Sequence, residues 1–305
     1  RHTILVSDWS SDVCSSDLAV MTQIIENFTD ISNKYDAALV DLWGCLHNGV
    51  KPFAAAVLAL EKFRDNGGTV LLLTNSPRPS GSVFTQLDSI GVSRDLYAGC
   101  VSSGDAARAA LASGAYGKKV FALGPERDAP FYDGIDVEHV ALEQATGIVC
   151  TGLFNDNTET PDDYRAFFLQ AKNNGLKMLC ANPDVMVDRG DKRIYCAGAL
   201  AQAYTQMGGE AHYFGKPHPP IYDLAYQKLI EITGREVMPK KIIAIGDGIN
   251  TDVRGAIGED IDSLFITGGL AAGETATDGQ PNPDRLNAFL TKAQLTPTYS
   301  MGHLR

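Results

Sequence analysis

The chain has 305 residues, 44% hydrophobic and 21% charged, with a net charge of −11 and a pI near 5.0. That length suggests about two domains, and the composition is that of a globular chain whose core needs no disulfide staples. The acidic balance argues against the basic face that a nucleic acid or an anionic membrane would need, and no apolar run approaches the ~18 residues of a membrane helix. A small anionic ligand stays compatible, because a few local cations and a metal can make a positive pocket.

In chain order, Ser7 to Leu18 is a small-residue repeat with no helical or strand period. It resembles a translated sequencing-adapter remnant, so residues 1–20 are expected to be a non-native or disordered leader, with Met21 as the start. Residues 21–35 predict a short amphipathic helix carrying Ile24, Ile25 and Phe28 on one side. Ala37-Ala38-Leu39-Val40 then leads straight into Asp41-Leu42-Trp43-Gly44. A short unbroken apolar run of this kind reads as a strand buried on both faces, with Asp41 at its carboxyl end. A turn-rich segment follows to Pro52. Helical spacing of Val57, Leu58, Leu60 and Phe63 predicts a helix from Phe53 to Asn66, stopped by Gly67-Gly68.

A second buried strand over 69–73 ends in Thr74-Asn75. A helix is expected from Ser80 to Ile90, a strand over 96–101, and a helix capped by Ser102-Ser103-Gly104-Asp105. This β-α alternation is the signature of a parallel sheet with helices on its faces. Residues 118–213 repeat the alternation on their own, with strands over 119–123, 147–151 and 177–181 and helices over 161–173 and 197–207; Thr160 and Pro161 mark a helix start. They read as an inserted domain, leaving 21–117 and 214–305 as the core. A helix over 219–233, a strand over 241–245, a helix over 251–257, a strand over 261–266 and a short helix over 283–293 complete the reading. The cysteines, Cys14, Cys45, Cys100, Cys150, Cys180 and Cys196, form no C-x-x-C pair. That fits reduced, buried thiols in a cytoplasmic protein.

Four polar clusters carry the chemistry. Asp41 follows the first buried strand and Thr74-Asn75-Ser76 the second. Gly215-Lys216-Pro217 opens a helix, and Gly246-Asp247-Gly248-Ile249-Asn250-Thr251-Asp252 joins the last core strand to another. In open α/β sheets ligands bind at the carboxyl ends of strands. A carboxylate can accept a phosphoryl group, Mg²⁺ takes oxygen ligands from carboxylates and phosphate, and a lysine neutralises phosphoryl charge as a point cation. The set is coherent for phosphoryl transfer. Each cluster has a plainer reading beside it: a capping turn for Thr74 and Asn75, a helix N-terminal carboxylate for Asp252.

The four motifs, in this order and with a domain inserted between the second and third, resemble the haloacid dehalogenase superfamily. The insert, the Thr74-Asn75-Ser76 form and Asn182-Pro183-Asp184 resemble its class IIA branch, the sugar-phosphatase and nitrophenylphosphatase-like group. The resemblance covers about residues 35–270. It implies an α/β fold: a Rossmann-like parallel core with an inserted α/β cap of the C2 type. It also implies Asp41 as nucleophile and Mg²⁺ held by Asp41, Asp247 and the Trp43 backbone carbonyl. Thr74 and Lys216 would hold the phosphoryl group, and Asp252 would support the metal or Lys216. Asn75, Ser76, Asn182 and Asp184 would lie on the substrate side. The expected partner is a small phosphorylated metabolite, such as a sugar phosphate; a homo-oligomer is compatible.

One position departs from that pattern. Family phosphatases mostly carry a second aspartate two residues after the nucleophile, which protonates the leaving oxygen and then activates water. Trp43 stands there. A backbone carbonyl survives any substitution, but the acid–base group is lost, a term worth about 10²–10⁴ in rate. Three outcomes stay open. Another group, His47 on the adjoining turn for example, substitutes. The leaving group needs no proton. Or the chain is a catalytically impaired phosphometabolite-binding or regulatory protein. Trp43 itself could equally be packing against the insert.

Overall fold

The computed structural model describes residues 22–189 and 192–305; the expected leader and Cys14 lie outside the described residues. Its strands, in chain order, are β1 Gln23–Ile24, β2 Ala37–Val40, β3 Thr69–Thr74, β4 Gly99–Ser102, β5 Lys119–Leu123, β6 Glu138–His139, β7 Gly147–Cys150, β8 Lys177–Cys180, β9 Met186–Arg189, β10 Lys192–Tyr195, β11 Glu210–Tyr213, β12 Ile242–Gly246, β13 Asp262–Ile266 and β14 Tyr299–Met301. The helices are α1 Ala54–Asp65, α2 Ser80–Ser89, α3 Ser103–Ala112, α4 Arg165–Asn173, α5 Ala197–Gln206, α6 Pro219–Thr233, α7 Arg254–Gly258 and α8 Pro283–Ala293.

Seven strands form one parallel sheet in the order β1-β14-β13-β12-β2-β3-β4. The two-residue side-chain period divides β2 cleanly. Ala38 and Val40 join Leu60 and Phe63 of α1 and Leu87 of α2 on one face. Ala37 and Leu39 join Ile221, Tyr222, Ala225 and Leu229 of α6 on the other. Both faces are covered, which is why β2, β3 and β12 read as unbroken apolar runs. The chain leaves β2 towards β3 on one side, while β12 flanks it on the other, so β2 lies at the topological switch point. The crevice above its carboxyl end is where such a sheet binds ligands.

Residues 119–213 hold a second sheet, ordered β11-β8-β7-β5-β6 and also parallel, with β9 and β10 as a separate antiparallel hairpin. Phe168 of α4 and Leu200 and Tyr204 of α5 cover one face. The other face rests on α3, whose Ala107 and Leu111 pack with Val120, Val149 and Leu179. The start of α3 is secured by a reciprocal cap: Asp105 N–H donates to Ser102 Oγ (3.0 Å) and Ser102 N–H to Asp105 Oδ2 (3.1 Å). One helix thus carries the second sheet over the edge of the first. Among the described residues, no helix is long and apolar enough to cross a membrane, and the five described cysteines are free and buried.

The structure corrects several local expectations. Residues 21–35 are not one helix. Gln23 and Ile24 pair with β14, and single 3-10 turns follow at Phe28–Asp30 and Ser32–Lys34. Ile25, Phe28 and Ile31 are buried all the same. The strand partner lies more than 270 residues away, at Tyr299 and Ser300, which local periodicity cannot register. The expected helix over 251–257 begins as a π turn at Ile249–Val253 before α7. There the Asp252 carboxylate is turned inward, accepting from Gly248 N–H at 3.0 Å. Strands β6, β9, β10, β11 and β14 were not expected: each is two to four residues long, and none is an unbroken apolar run.

Candidate active site

The polar residues that end β2, β3 and β12 meet around one ammonium group. Lys216, 2% exposed, donates from Nζ to Asp41 Oδ1 (2.6 Å), Asp252 Oδ1 (2.7 Å) and the Leu73 carbonyl (2.8 Å). All three of its protons are used. Asp247 lies beside them: carboxylate oxygens of Asp41, Asp247 and Asp252 sit within 4.8 Å of one another. Glycines make the close approach possible. Asp247 fills the space a side chain would take at Gly44 (φ +74°) and Gly269, where a Cβ would lie 2.1 and 1.9 Å from its Oδ2.

The charges do not balance. Burial pushes Asp41 up to about 7 against the pull of Lys216, with Asp252 adding repulsion. Burial raises Asp247 well above the carboxylate range, and Asp41 and Asp252 add to it. Burial alone would lower Lys216, but Asp252 and Asp41 outweigh it and hold the ammonium charged. One cation faces three carboxylates in a water-poor site, an arrangement that suits a hard divalent cation. The free lone pairs agree. Protein donors take Asp41 Oδ1, Asp247 Oδ2 (from Leu270 N–H, 2.9 Å) and both oxygens of Asp252. Asp41 Oδ2 and Asp247 Oδ1 remain. Among the described residues the Trp43 carbonyl accepts no backbone hydrogen bond, whereas that of Leu42 accepts two. Free oxygens on Asp41 and Asp247 are thus open to a cation, while Asp252 is already committed to Lys216 and Gly248.

A cavity of about 460 Å³ opens above this cluster, lined by Asp41, Trp43, Thr74, Ser76, Lys216 and Asp247 among others. Thr74 Oγ1 accepts from Ser76 N–H (3.2 Å), which leaves the hydroxyl proton to donate. The insert supplies the far wall, with Asn182 and Asp184 on it.

Two expected roles change in the structure. Asn75 does not line the cavity. Its Oδ1 accepts from Lys216 N–H (2.7 Å), and its Nδ2 donates to the Lys216 carbonyl (3.1 Å) and to Asp184 Oδ1 (2.8 Å). With both amide protons and its oxygen engaged, the Asn75 side chain is a clasp that fixes Lys216 and ties the insert to the core. Burial raises Asp184 to about 6, although Lys216 and Asn75 pull it down. His47, the candidate substitute acid, is fully buried, and it too lies outside the cavity lining. Its Nδ1 accepts from Gly49 N–H (2.9 Å), its Nε2 has no partner, and burial lowers it to about 4. It stacks edge-on against Trp43, ring centroids 5.2 Å apart, and supports that side chain from behind.

Other cavity residues had no local signal. Arg127 and Arg189 of the insert both bind Asp156, Arg189 Nη2 at 2.8 Å. Arg78 of the core reaches Asp128 of the insert at 3.4 Å. His303, near the carboxyl terminus, also lines the cavity. The ion pairs span 29 to 50 residues, and no spacing rule identifies them.

Comparison with known proteins decides the family. A family model described as haloacid dehalogenase-like hydrolase matches residues 38–138, and a second, HAD-hydrolase-like, matches 213–293. A crystal structure of a haloacid dehalogenase-like hydrolase from Brucella suis 1330 is 41% identical, covers 92% of this chain and 100% of its own, and superposes with a TM-score of 0.83. The chain belongs to the haloacid dehalogenase-like hydrolases. More distant relatives of this family are a 5'-nucleotidase, YutF, from Bacillus subtilis (22% identical over 85% of this chain and 97% of the relative) and an acid sugar phosphatase from Staphylococcus saprophyticus (23% over 79% and 89%). The parallel core and the α/β insert agree with that membership.

Proposed function

We propose that the chain is a Mg²⁺-dependent phosphomonoesterase of small phosphorylated metabolites, sugar phosphates and nucleotides being the leading classes, and that it works through a phosphoaspartyl group on Asp41. The observation that carries this reading is the Lys216 ammonium held by Asp41 and Asp252 with Asp247 alongside. Asp41, Asp247 and the Trp43 carbonyl would hold the ion, and bound there it would screen the carboxylates and polarise a phosphoryl oxygen. A carboxylate oxygen of Asp41 attacks phosphorus, and the ester P–O bond breaks as the Asp41–phosphorus bond forms. Lys216 and the Thr74 hydroxyl take up charge on the phosphoryl oxygens. Asn75 keeps Lys216 in register. The insert shields the site from bulk water and reads the rest of the substrate. Water then attacks phosphorus, releasing phosphate and the Asp41 carboxylate.

Trp43 favours a second reading, a binding or regulatory protein that turns ligands over poorly, because it brings no carboxylate to the cavity. One experiment separates the two. With Mg²⁺ and p-nitrophenyl phosphate the wild type should turn over, and Asp41→Asn should lower kcat by at least about 10³-fold, as loss of a nucleophile does. Equal inertness of both proteins over a panel of sugar and nucleotide phosphates would overturn the phosphatase reading.

A further inference from the structure

The missing aspartate leaves a question of which group carries the proton. The carboxyl edge of the core sheet supplies a candidate that the Trp43 turn does not. β14 runs parallel to β13, so its carboxyl end arrives on the same edge as Asp41. Thr267 N–H donates to the Met301 carbonyl (2.9 Å) and Gly268 N–H to that of Gly302 (2.7 Å). The chain is thereby stitched to the loop after β13 up to the residue before His303. The His303 side chain then stands exposed on the wall of the cavity shared by Asp41, Trp43, Lys216 and Asp247.

Its ring lies against Gly268, where a Cβ would meet Nε2 at 2.4 Å. Gly269, the next residue, lies against Asp247, and so does Gly44 from the Trp43 turn. The imidazole therefore packs on a short loop whose next glycine meets the same Asp247 carboxylate that the Trp43 turn meets. Most of the other titratable side chains on the cavity wall are already engaged. Asp156 is held by Arg127 and Arg189, Asp128 by Arg78, Asp188 by Arg193 and Asp184 by Asn75. Asp41 and Asp252 are held by Lys216. Asp247 Oδ2 accepts from Leu270 N–H, and burial pushes the Cys196 thiol up. Tyr195 is the remaining rival on the wall. Imidazole is the side chain suited to give and retake a proton near neutrality.

We propose that His303 is the acid–base group of this active site, donating its proton to the leaving oxygen and recovering one from the water that opens the phosphoaspartate. The inference rests on the phosphatase reading above. In the first step the ester P–O bond breaks, and the leaving oxygen takes the imidazolium proton. In the second, water adds to phosphorus, its proton passes to the imidazole, and the Asp41–phosphorus bond breaks. The net change is ester plus water to alcohol plus phosphate.

The test compares wild type, His303→Gln and Tyr195→Phe on two aryl esters with Mg²⁺. For p-nitrophenyl phosphate, whose leaving group departs without a proton, His303→Gln should keep kcat/KM within about ten-fold, and for phenyl phosphate it should lose about 10²–10⁴-fold. The variant should also show a burst of about one equivalent of p-nitrophenolate before slow turnover, because the phosphoenzyme accumulates. Mg²⁺-dependent binding of orthovanadate, read by calorimetry, should be unchanged and shows the site intact. Equal losses on the two esters, no loss on either, or the selective loss appearing in Tyr195→Phe instead would overturn the assignment to His303 while leaving the phosphatase reading standing. A wild type inert on both esters would remove the two together.

Discussion

The edge of the core sheet and the face of the insert that covers it hold charge in opposite ways. At the edge, Lys216 and its two carboxylates are almost fully buried, each side chain 11% exposed or less, and every ammonium proton has a fixed acceptor. On the insert, Arg127 and Arg189 share Asp156 while 42% and 38% of their side chains remain exposed. A buried charge is held by geometry, and losing its partner is costly. A half-exposed guanidinium exchanges partners at little cost, because water screens both states. On the proposed function, the first arrangement would hold the phosphoryl group and the second would discriminate among what is attached to it.

The largest effect should come from breaking the buried side of this contrast. Lys216→Met leaves Asp41 and Asp252 facing each other without a cation, and should cost about 3–5 kcal/mol in urea unfolding at neutral pH without metal. The loss should shrink as pH falls, because Asp41, already pushed up to about 7 by burial, can then take a proton instead of a partner. A pH-independent loss of under about 1 kcal/mol would place the triad with ordinary surface pairs and dissolve the contrast.

A smaller, signed effect belongs to His47, which is buried beneath Trp43. Its folded-state pKa is lowered by burial to about 4 from an ordinary 6.5. Between those values the unfolded chain binds a proton that the folded chain refuses, so stability is full above about 6.5 and is lost as pH falls towards about 4, by on the order of 3 kcal/mol. His47→Gln should flatten that part of the profile in urea melts from pH ~6.5 to ~4.5. An unchanged slope would mean that the acid sensitivity arises elsewhere.

What the sequence made legible follows from how each feature is built. β2, β3 and β12 are buried on both faces, so each is a solid apolar run with its polar cluster immediately after; Asp41, Thr74 and Asp247 could be aligned at one edge before any coordinates. α6 was legible over 219–233 because Pro219 starts it and Gly234, at φ +68°, ends it. The rest depends on distance along the chain. Asn75 meets Lys216 across 141 residues, and nothing local distinguishes a clasp from a substrate contact. The His47 turn looked open because its residue types favour turns, yet the imidazole is turned under the indole. His303 sits in a tail whose only visible element was the helix over 283–293. Its place on the cavity wall depends on β14, a three-residue strand.

The smallest expected effect is on the exposed side. Arg189→Ala removes one of two guanidiniums on Asp156 and leaves Arg127 in place. Stability should change by about 1 kcal/mol or less, and kcat for p-nitrophenyl phosphate should stay within about two-fold, since on the proposed mechanism the core holds the phosphoryl group. KM for a substrate that reaches the insert with an anionic or polyhydroxylated body should rise by up to about ten-fold, the equivalent of about 1.4 kcal/mol. The informative quantity is the split between the two constants. If kcat on the small ester falls as steeply as it does in the core variants, then Arg189 acts on the reacting phosphoryl group itself, and the cavity has one electrostatic unit where the geometry places two.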